Sequence, residues 1–319
     1  MAKIPGGLED LLKGAPQNWG RWGQRDQVGG LNFLGPAEVL RGVRSVASGK
    51  TFTLMLQLGN PGGDPVFPGY PPAGHFMTQD KGSYEAGKRQ EIAGGLEYAA
   101  DVLMVACHGT THCDALGHTW FGDRMWNGYP AETSKSGLDN ASILPIAERG
   151  IVGHAVLLDV PRLMGVPYLP MHTHVRLADL LAAAKAEKVE IQKHDLLMIR
   201  TGIFNLFYEK GPEAFYAEFD EPGLTYEKEI VDFFHDMEIP VSGTDILSGE
   251  LLNSQTAEAV FPMHAALSRN LGVVFVEAHW FERWAEDSAQ DGKYDGLYMA
   301  SPLRITGGTA SPVNPIVIK

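Results

Sequence analysis

Five short apolar runs recur along the chain, and turn-forming or polar residues bound each of them. The runs hold four to six residues each and lie at residues 52–56, 102–106, 155–160, 196–199 and 272–276. Continuous apolar runs of this length are typical of strands that are buried on both faces of a sheet. The pattern therefore predicts a sheet with most of its strands buried.

Two segments between these runs have apolar residues spaced three or four positions apart. The first contains Leu177, Leu180, Leu181 and Ala184, and the second contains Tyr226, Ile230, Phe233, Phe234 and Met237. This spacing places the apolar side chains on one face of an amphipathic helix. Strands interspersed with such helices predict an α/β or α+β fold.

The sequence shows no repeat, low-complexity linker or block of like charge that would divide it. We therefore predict one domain over residues 1–319, with a loop-rich first third at residues 1–100. Gly and Pro are concentrated in segments such as residues 59–74, GNPGGDPVFPGYPPAG. A segment of this composition cannot hold a regular helix, and we expect it to cross the surface or the mouth of a pocket.

Composition and charge narrow the classes of partner. Hydrophobic residues make up 44% of the chain and charged residues 20%, which is typical of globular proteins. The formal net charge of -13 disfavours nucleic acid and anionic membrane surfaces as partners. Two cysteines, Cys107 and Cys113, give no disulfide framework, and no signal peptide or long apolar span is visible. A cytoplasmic protein with a small-molecule substrate is expected.

One short motif concentrates the candidate chemistry. The string CHGTTHCDALGH contains His108, His112, Asp114 and His118 directly after an apolar run. On a straight strand, His108 and His112 would lie roughly 13 Å apart, so the chain must turn at residues 109–111 if both bind one ion. Converging imidazoles and a carboxylate suit Zn, Mn or Fe and leave positions open for water. The alternative, a set of core histidines, needs a hydrogen-bond partner for every buried polar group.

Cys113 stands between two of the proposed ligands and could be interpreted as a nucleophile. In an extended segment its side chain points away from those of His112 and Asp114. We therefore predict a small buried hydrophobic residue at this position rather than a reactive thiolate.

Residues 108–118, HGTTHCDALGH, resemble the signature HxGTHxDxPxH of the cyclase family of metal-dependent hydrolases, which includes kynurenine formamidase and isatin hydrolase. Thr110 replaces the glycine of the signature and Leu116 replaces its proline. The segments GHAVLLDV, DLLMIRTG and SGTDILSG follow in the order found in the family. The N-terminal RWGQRDQVGGLN at residues 21–32 is similar to the longer branch of the family.

The resemblance implies a fold, an assembly and a first metal site. The implied fold is a swivelling β/α/β arrangement, in which a mixed sheet curls towards a barrel and is flanked by helices. The implied assembly is a homodimer or homotetramer in which a neighbour contributes pocket residues. By the same resemblance, His108, His112 and Asp114 bind the first divalent ion, and His118 stands beside it as the acid/base group.

A second ion is also implied, with Asp114 as the bridging residue and His264 and Glu277 as further ligands. The spacing between these later residues is about one position longer than the family leads us to expect, and His279 lies just beyond Glu277. One or two ions per chain, Zn or Mn, both remain compatible with the sequence.

The expected activity is hydrolysis of a small cyclic amide, imide or aryl formamide, with a metal-activated water and His118 as acid/base group. Trp120, Phe67 and Tyr70 are candidate substrate-binding residues, although aromatic side chains near a motif also serve as core. Alternatives are arylformamidase activity proper, a lyase or cyclising reaction, and a non-catalytic binding scaffold. An acid/base group beside intact ligands argues against the scaffold.

Overall fold

The computed structural model describes residues 6–319, and its strands form one large sheet and two small ones. The strands are β1 (Thr51–Thr53), β2 (Gly74–Gln79), β3 (Ala100–Met104), β4 (His112–Asp114), β5 (Ile151–Asp159), β6 (His174–Val175), β7 (Leu196–Arg200), β8 (Gly223–Leu224), β9 (Val241–Thr244), β10 (Val274–Glu277), β11 (Asp295–Ala300), β12 (Ala310–Pro312) and β13 (Ile316–Ile318). The large sheet has nine strands in the order β1-β13-β11-β5-β7-β9-β10-β4-β12.

Helices flank this sheet and connect its strands. They are α1 (Leu8–Leu12), α2 (Pro36–Ser45), α3 (Lys81–Glu85), α4 (Ile143–Arg149), α5 (Val160–Met164), α6 (Leu177–Glu187), α7 (Phe204–Tyr216), α8 (Lys228–Asp236), α9 (Glu282–Asp291) and a π-helix over His264–Leu271. The two predicted amphipathic segments correspond to α6 and α8. No helix within residues 6–319 is long and apolar enough to span a membrane.

The large sheet is mixed, as expected. Its centre, β5-β7-β9-β10, is parallel, whereas the pairs on either side of this centre are antiparallel. The sheet curls into a half-barrel flanked by helices, so the predicted fold class is confirmed.

Successive residues of the central strands enter two different cores. Leu157 and Met198 belong to the cluster on one face, whereas Leu158 and Ile199 belong to the cluster on the other face. All four side chains are at most 1% exposed. Burial on both faces explains why these strands have continuous apolar sequences instead of an alternating pattern.

A strand forms at part of residues 102–106, as predicted, but the prediction that this strand is buried was wrong. Strand β3 covers part of this run, but it pairs only with β2 in a two-stranded hairpin outside the large sheet. We call residues 74–104 the arm. Four of the five residues of β3 are exposed in this chain. The prediction failed because an apolar run indicates that a segment tends to be covered, but it does not specify whether the large sheet or another surface covers it. The other four runs contribute strands to the large sheet.

A buried histidine links three neighbouring strands of the sheet. His154 of β5 contacts Asp195 through Nδ1 at 2.8 Å and Asp295 through Nε2 at 3.0 Å. Burial alone would lower the pKa of His154, but hydrogen bonds to the two carboxylates raise it to about 9. The protonated imidazole therefore stabilises the pairing of β5 with β7 and β11.

This cluster predicts a pH-dependent contribution to stability. Because the folded-state pKa of His154 exceeds the unfolded value of about 6.5, its contribution is complete below pH 6.5 and is lost as the pH rises through about 9. Urea unfolding of the wild type and His154→Gln should differ by about 2 kcal/mol more at pH 6 than at pH 10. A difference that stays constant over this range would contradict the assignment.

Candidate metal centre

The central part of the motif lies on a strand with a neighbour on each side. Strand β4 pairs with β10 on one side and β12 on the other, and His112 stands opposite Glu277 in the antiparallel register. His112 and Asp114 are two residues apart, so their side chains project from the same face of the strand. The sheet register therefore groups two motif residues with a carboxylate 165 positions later in the chain.

His108 reaches the same place because the chain turns before β4, as predicted. Residues 107–111 form turns and bends, and His108 Nδ1 lies 3.0 Å from Asp114 Oδ1. The hydroxyl of Thr111 holds the end of this turn, since it donates to the carbonyl of Ala278 and accepts from the backbone N–H of Leu56 at 2.9 Å.

His264 is the first residue of the π-helix, and it approaches from the other side. Its Nε2 lies 3.6 Å from Asp114 Oδ2 and 3.5 Å from Glu277 Oε1. The structure thus brings all five predicted metal ligands together around the carboxylate of Asp114, and each of the five is less than 9% exposed.

The grouping within this cluster differs from the predicted one. One set that could hold an ion consists of His108, Asp114 and His118, and a second consists of His112, Asp114 and Glu277. In each set the ligand atoms lie within 4.8 Å of one another. The sequence placed His108 with His112 and assigned His118 a role apart from the metal. In the structure Asp114 is shared by both sets, and His118 is close enough to be a ligand.

The orientation of the imidazoles fits a metal. His112 Nδ1 lies 2.7 Å from the carbonyl oxygen of Thr110, so Nδ1 carries the proton that this bond needs. Its Nε2 faces Asp114 Oδ1 at 3.3 Å and Glu277 Oε2 at 3.2 Å. Ligand atoms about 2.1 Å from one ion stand about 3.0–3.4 Å apart, which matches these separations.

Several atoms of the cluster are buried without a hydrogen-bond partner. They are His112 Nε2, both carboxylate oxygens of Asp114 and Glu277 Oε1. Buried acceptors that face one another cost free energy unless a cation lies between them. The residues present therefore fit a divalent ion held by imidazole nitrogen and carboxylate oxygen.

The pKa shifts within the cluster also favour a bound cation. Burial opposes protonation of His112, but Asp114 and Glu277 raise its pKa to about 10. Burial would raise the pKa of Asp114, yet His118 and His108 hold it well below its usual range. A cation that binds here replaces protons held between these groups.

The pKa of His118 is shifted in the opposite direction to that of His112. Burial is the main cause that lowers its pKa to about 3, and positive charge at His108 adds to this effect, whereas Asp114 opposes it. Its ring lies 4.2 Å from that of His108, measured between centroids. Burial therefore disfavours the protonated form of His118, in contrast to His112.

A cavity of about 200 Å³ opens above the cluster. Its lining includes His118, Phe67, Tyr70, Leu247 and Phe261. Tyr70 stacks on His108 with centroids 5.9 Å apart, so two of the three predicted substrate-binding aromatics face the cavity.

Trp120 does not line this cavity, and half of its surface is exposed. The chain leaves the site after His118 and enters a tight turn in which Gly122 and Asp123 both have positive φ values.

His279, the neighbour that made the spacing ambiguous, lies outside the cluster. Its Nε2 is 3.0 Å from the hydroxyl of Tyr298, and its ring stacks on Phe281. Ala278 has a positive φ of 55°, and Glu277 and His279 project into different environments on either side of it.

Cys113 is fully buried in the main core, as predicted, and burial raises the pKa of its thiol.

Comparison with known proteins agrees with this geometry. Residues 54–250, more than half of the chain, match the model of the Cyclase family. A crystal structure described as a novel cyclase is 31% identical and superposes with a TM-score of 0.87, covering 95% of this chain and all of that one. The chain belongs to the Cyclase family.

More distant structures share the fold. An isatin hydrolase bound to the product analogue thioisatinate has a TM-score of 0.59 at 17% identity, covering 90% of this chain and 100% of that chain. Isatin hydrolase A from Labrenzia aggregata, bound to benzyl benzoate, has a TM-score of 0.55 at 18% identity, covering 89% and 99%. No curated protein sequence shows a significant match.

Three residues around the centre were missed by sequence reasoning. Glu250 accepts a hydrogen bond from His264, Thr309 lies 3.2 Å from His108 Nε2, and Phe261 lines the cavity. Glu250 directly follows the segment SGTDILSG that already resembled the family, so a carboxylate at that position was a usable signal. No comparable sequence pattern marks Thr309 or Phe261 as a residue of the site.

Loss of metal on substitution of Asp114 is the first test of this centre. Because Asp114 is shared by both ligand sets, Asp114→Ala should contain less than a tenth of the metal found in the wild type by elemental analysis. Cys113→Ala, on the same strand but facing the core, should keep its metal. Chelation should lower the unfolding temperature of the wild type and of Cys113→Ala, but not that of Asp114→Ala. Full metal content in Asp114→Ala would exclude the centre.

Proposed function

We propose that this member of the Cyclase family is a metal-dependent hydrolase that opens the amide bond of a small cyclic amide, imide or aryl formamide. The observation that carries the proposal is the set of His112, Asp114 and Glu277, with His108 and His264 beside Asp114, beneath a cavity whose wall contains His118. A purely structural metal would have no need of an open cavity beside its ligands. The ion of this proposal is Zn or Mn, with one or two ions per chain.

The chemistry divides between the ion and the chain. A bound divalent ion supplies a water of lowered pKa and polarises the substrate carbonyl. His118 accepts the proton of that water as it attacks and then transfers the proton to the nitrogen that leaves the carbonyl carbon. Water therefore adds across the C–N bond: the carbonyl carbon becomes a carboxylic acid and the nitrogen becomes an amine, or an amide where the substrate is an imide, and both groups stay on one molecule when the substrate is cyclic.

Cavity size and lining support the choice of substrate. A volume of about 200 Å³ suits a small ring system, and Phe67, Tyr70 and Phe261 offer aromatic faces for it. An isatin hydrolase of the same fold is bound to thioisatinate, a product analogue, which makes cyclic amides fused to an aryl ring the first compounds to test.

Substitution of His118 separates the roles of acid/base group and ligand. In His118→Ala we expect metal content near that of the wild type and turnover lower by about 100-fold or more. Elemental analysis and kinetics on the same preparation measure both quantities. If the variant loses its metal, His118 is a ligand, and the acid/base role must be assigned to another group.

A substrate screen with labelled solvent distinguishes hydrolysis from the lyase or cyclising alternative. Cyclic amides, imides and formyl anilides should be offered to protein of known metal content, and hydrolysis should place one oxygen from ¹⁸O-labelled water in the acid product. A product without solvent oxygen would identify the alternative reaction. Absence of turnover on every compound, with metal bound, would favour a binding scaffold.

We also propose that the chain forms a homodimer, or a homotetramer built from it. The Gly- and Pro-rich segment at residues 59–74 does not supply the interface through Phe67, because this side chain packs against Phe219 of the same chain with centroids 5.7 Å apart. The arm is the more exposed apolar surface, and a two-stranded hairpin is rarely stable alone. Phe76 pairs with Val102 on one face of the arm, and Met104 projects from that same face.

Association should depend on that face of the arm. Met104 is 64% exposed and Leu103, on the opposite face, is 53% exposed. Light scattering should show a dimer or tetramer of the 34.7 kDa chain, and Met104→Lys should shift it towards the monomer. Leu103→Lys, a matched change on the other face, should shift it less. A wild-type monomer with full activity at nanomolar concentration would contradict the proposal.

A further inference from the structure

Glu250 is a fully buried carboxylate with three donors around it. Its Oε2 accepts from the backbone N–H of Met263 at 2.7 Å, and its Oε1 accepts from the backbone N–H of His264 at 2.8 Å. Oε1 also lies 2.6 Å from the ring atom His264 Nδ1. The carboxylate therefore holds both the start of the π-helix and the imidazole that this helix presents to the metal centre.

The contact with Nδ1 determines which nitrogen of His264 carries the proton. A carboxylate whose oxygens already accept two backbone N–H groups can meet Nδ1 favourably only as an acceptor. Nδ1 must then be the protonated nitrogen, and the lone pair of a neutral ring is on Nε2. Nε2 is the atom that faces Asp114 Oδ2 and Glu277 Oε1.

We infer that Glu250 is a positioning residue that fixes the tautomer and ring orientation of His264 so that Nε2 is available to a divalent ion. This inference rests on the proposed metal centre, and nothing in it depends on the substrate. Two side-chain torsions set the direction of the His264 ring, and His264 joins the second ligand set only if the ring keeps this orientation. His112 has the equivalent contact from the carbonyl of Thr110.

The test uses two substitutions of Glu250 that differ in their acceptor capacity. Glu250→Met keeps the approximate size of the side chain and removes both acceptor oxygens. Glu250→Gln keeps one acceptor oxygen, which can still receive the Nδ1 proton if the amide turns towards His264. Glu250→Met should therefore no longer hold the orientation of the His264 ring, and Glu250→Gln should hold it in part.

The readouts are zinc affinity and the ring protons of His264. Zinc affinity is measured at pH 7 by competition with a chelator, and the Nδ1–H signal is observed in ¹⁵N-histidine-labelled, zinc-loaded protein. The signal is assigned by its absence from His264→Ala. We expect Glu250→Met to lose the Nδ1–H signal and to bind zinc about 10- to 100-fold more weakly. Glu250→Gln should lie between this variant and the wild type in both measurements.

Glu221→Met is the matched control. Glu221 is also fully buried, and it accepts from the backbone N–H of Leu247 at 2.9 Å and contacts the hydroxyl of Ser248. Burial raises the pKa of both Glu221 and Glu250, so the two carboxyl groups are matched in burial and in the direction of the pKa shift. Glu221→Met should lose thermal stability as Glu250→Met does, but it should keep the His264 signal and zinc affinity.

Two results would overturn the inference. One is an unchanged Nδ1–H signal and zinc affinity in Glu250→Met. The other is an equal loss of zinc affinity in Glu221→Met, which would reduce the role of Glu250 to general packing. If Glu250→Met does not fold, Glu250→Gln decides alone, because wild-type values for both measurements in that variant would exclude the positioning role. Failure of the wild type to bind zinc or manganese would instead contradict the metal centre itself.

Discussion

The carboxylate of Asp114 is the group on which the other features of the site depend. It is buried, both of its oxygens lack hydrogen-bond partners, and ring nitrogens of His108, His112 and His264 lie 3.0–3.6 Å from these oxygens. A carboxylate in this environment needs positive charge, whether from protons on the imidazoles or from a metal ion. The fold meets this demand with His112 on the same strand, His108 in the turn before that strand and His264 at the start of the π-helix.

The ring nitrogens of His112, His264 and His108 that face away from Asp114 also have polar neighbours. The carbonyl of Thr110 fixes His112, the carboxylate of Glu250 contacts His264, and the hydroxyl of Thr309 lies near His108. Such outer contacts keep ligands oriented and limit the reorganisation needed when an ion binds. The centre is therefore built from buried backbone and side-chain groups, with few contributions from mobile surface residues.

The walls of the cavity have a different origin. Phe67 and Tyr70 come from the Pro- and Gly-rich loop, and Phe261 precedes the π-helix, so none of these aromatics belongs to a strand of the large sheet. Loops can change without disturbing strand register. This separation allows one metal-binding framework to serve different substrates, and it makes substrate the least transferable property among proteins that share the fold.

The sequence alone determined the buried central strands, the two amphipathic helices and the ligand-rich motif, because periodicity and close spacing are local properties of the chain. It also predicted the turn at residues 109–111, since His108 and His112 cannot otherwise meet. Only the tertiary structure decided that β3 lies in an exposed arm, that Trp120 lies outside the cavity and that Glu277 rather than His279 faces His112. These outcomes depend on strand register and on contacts between residues far apart in sequence, and no local pattern encodes them.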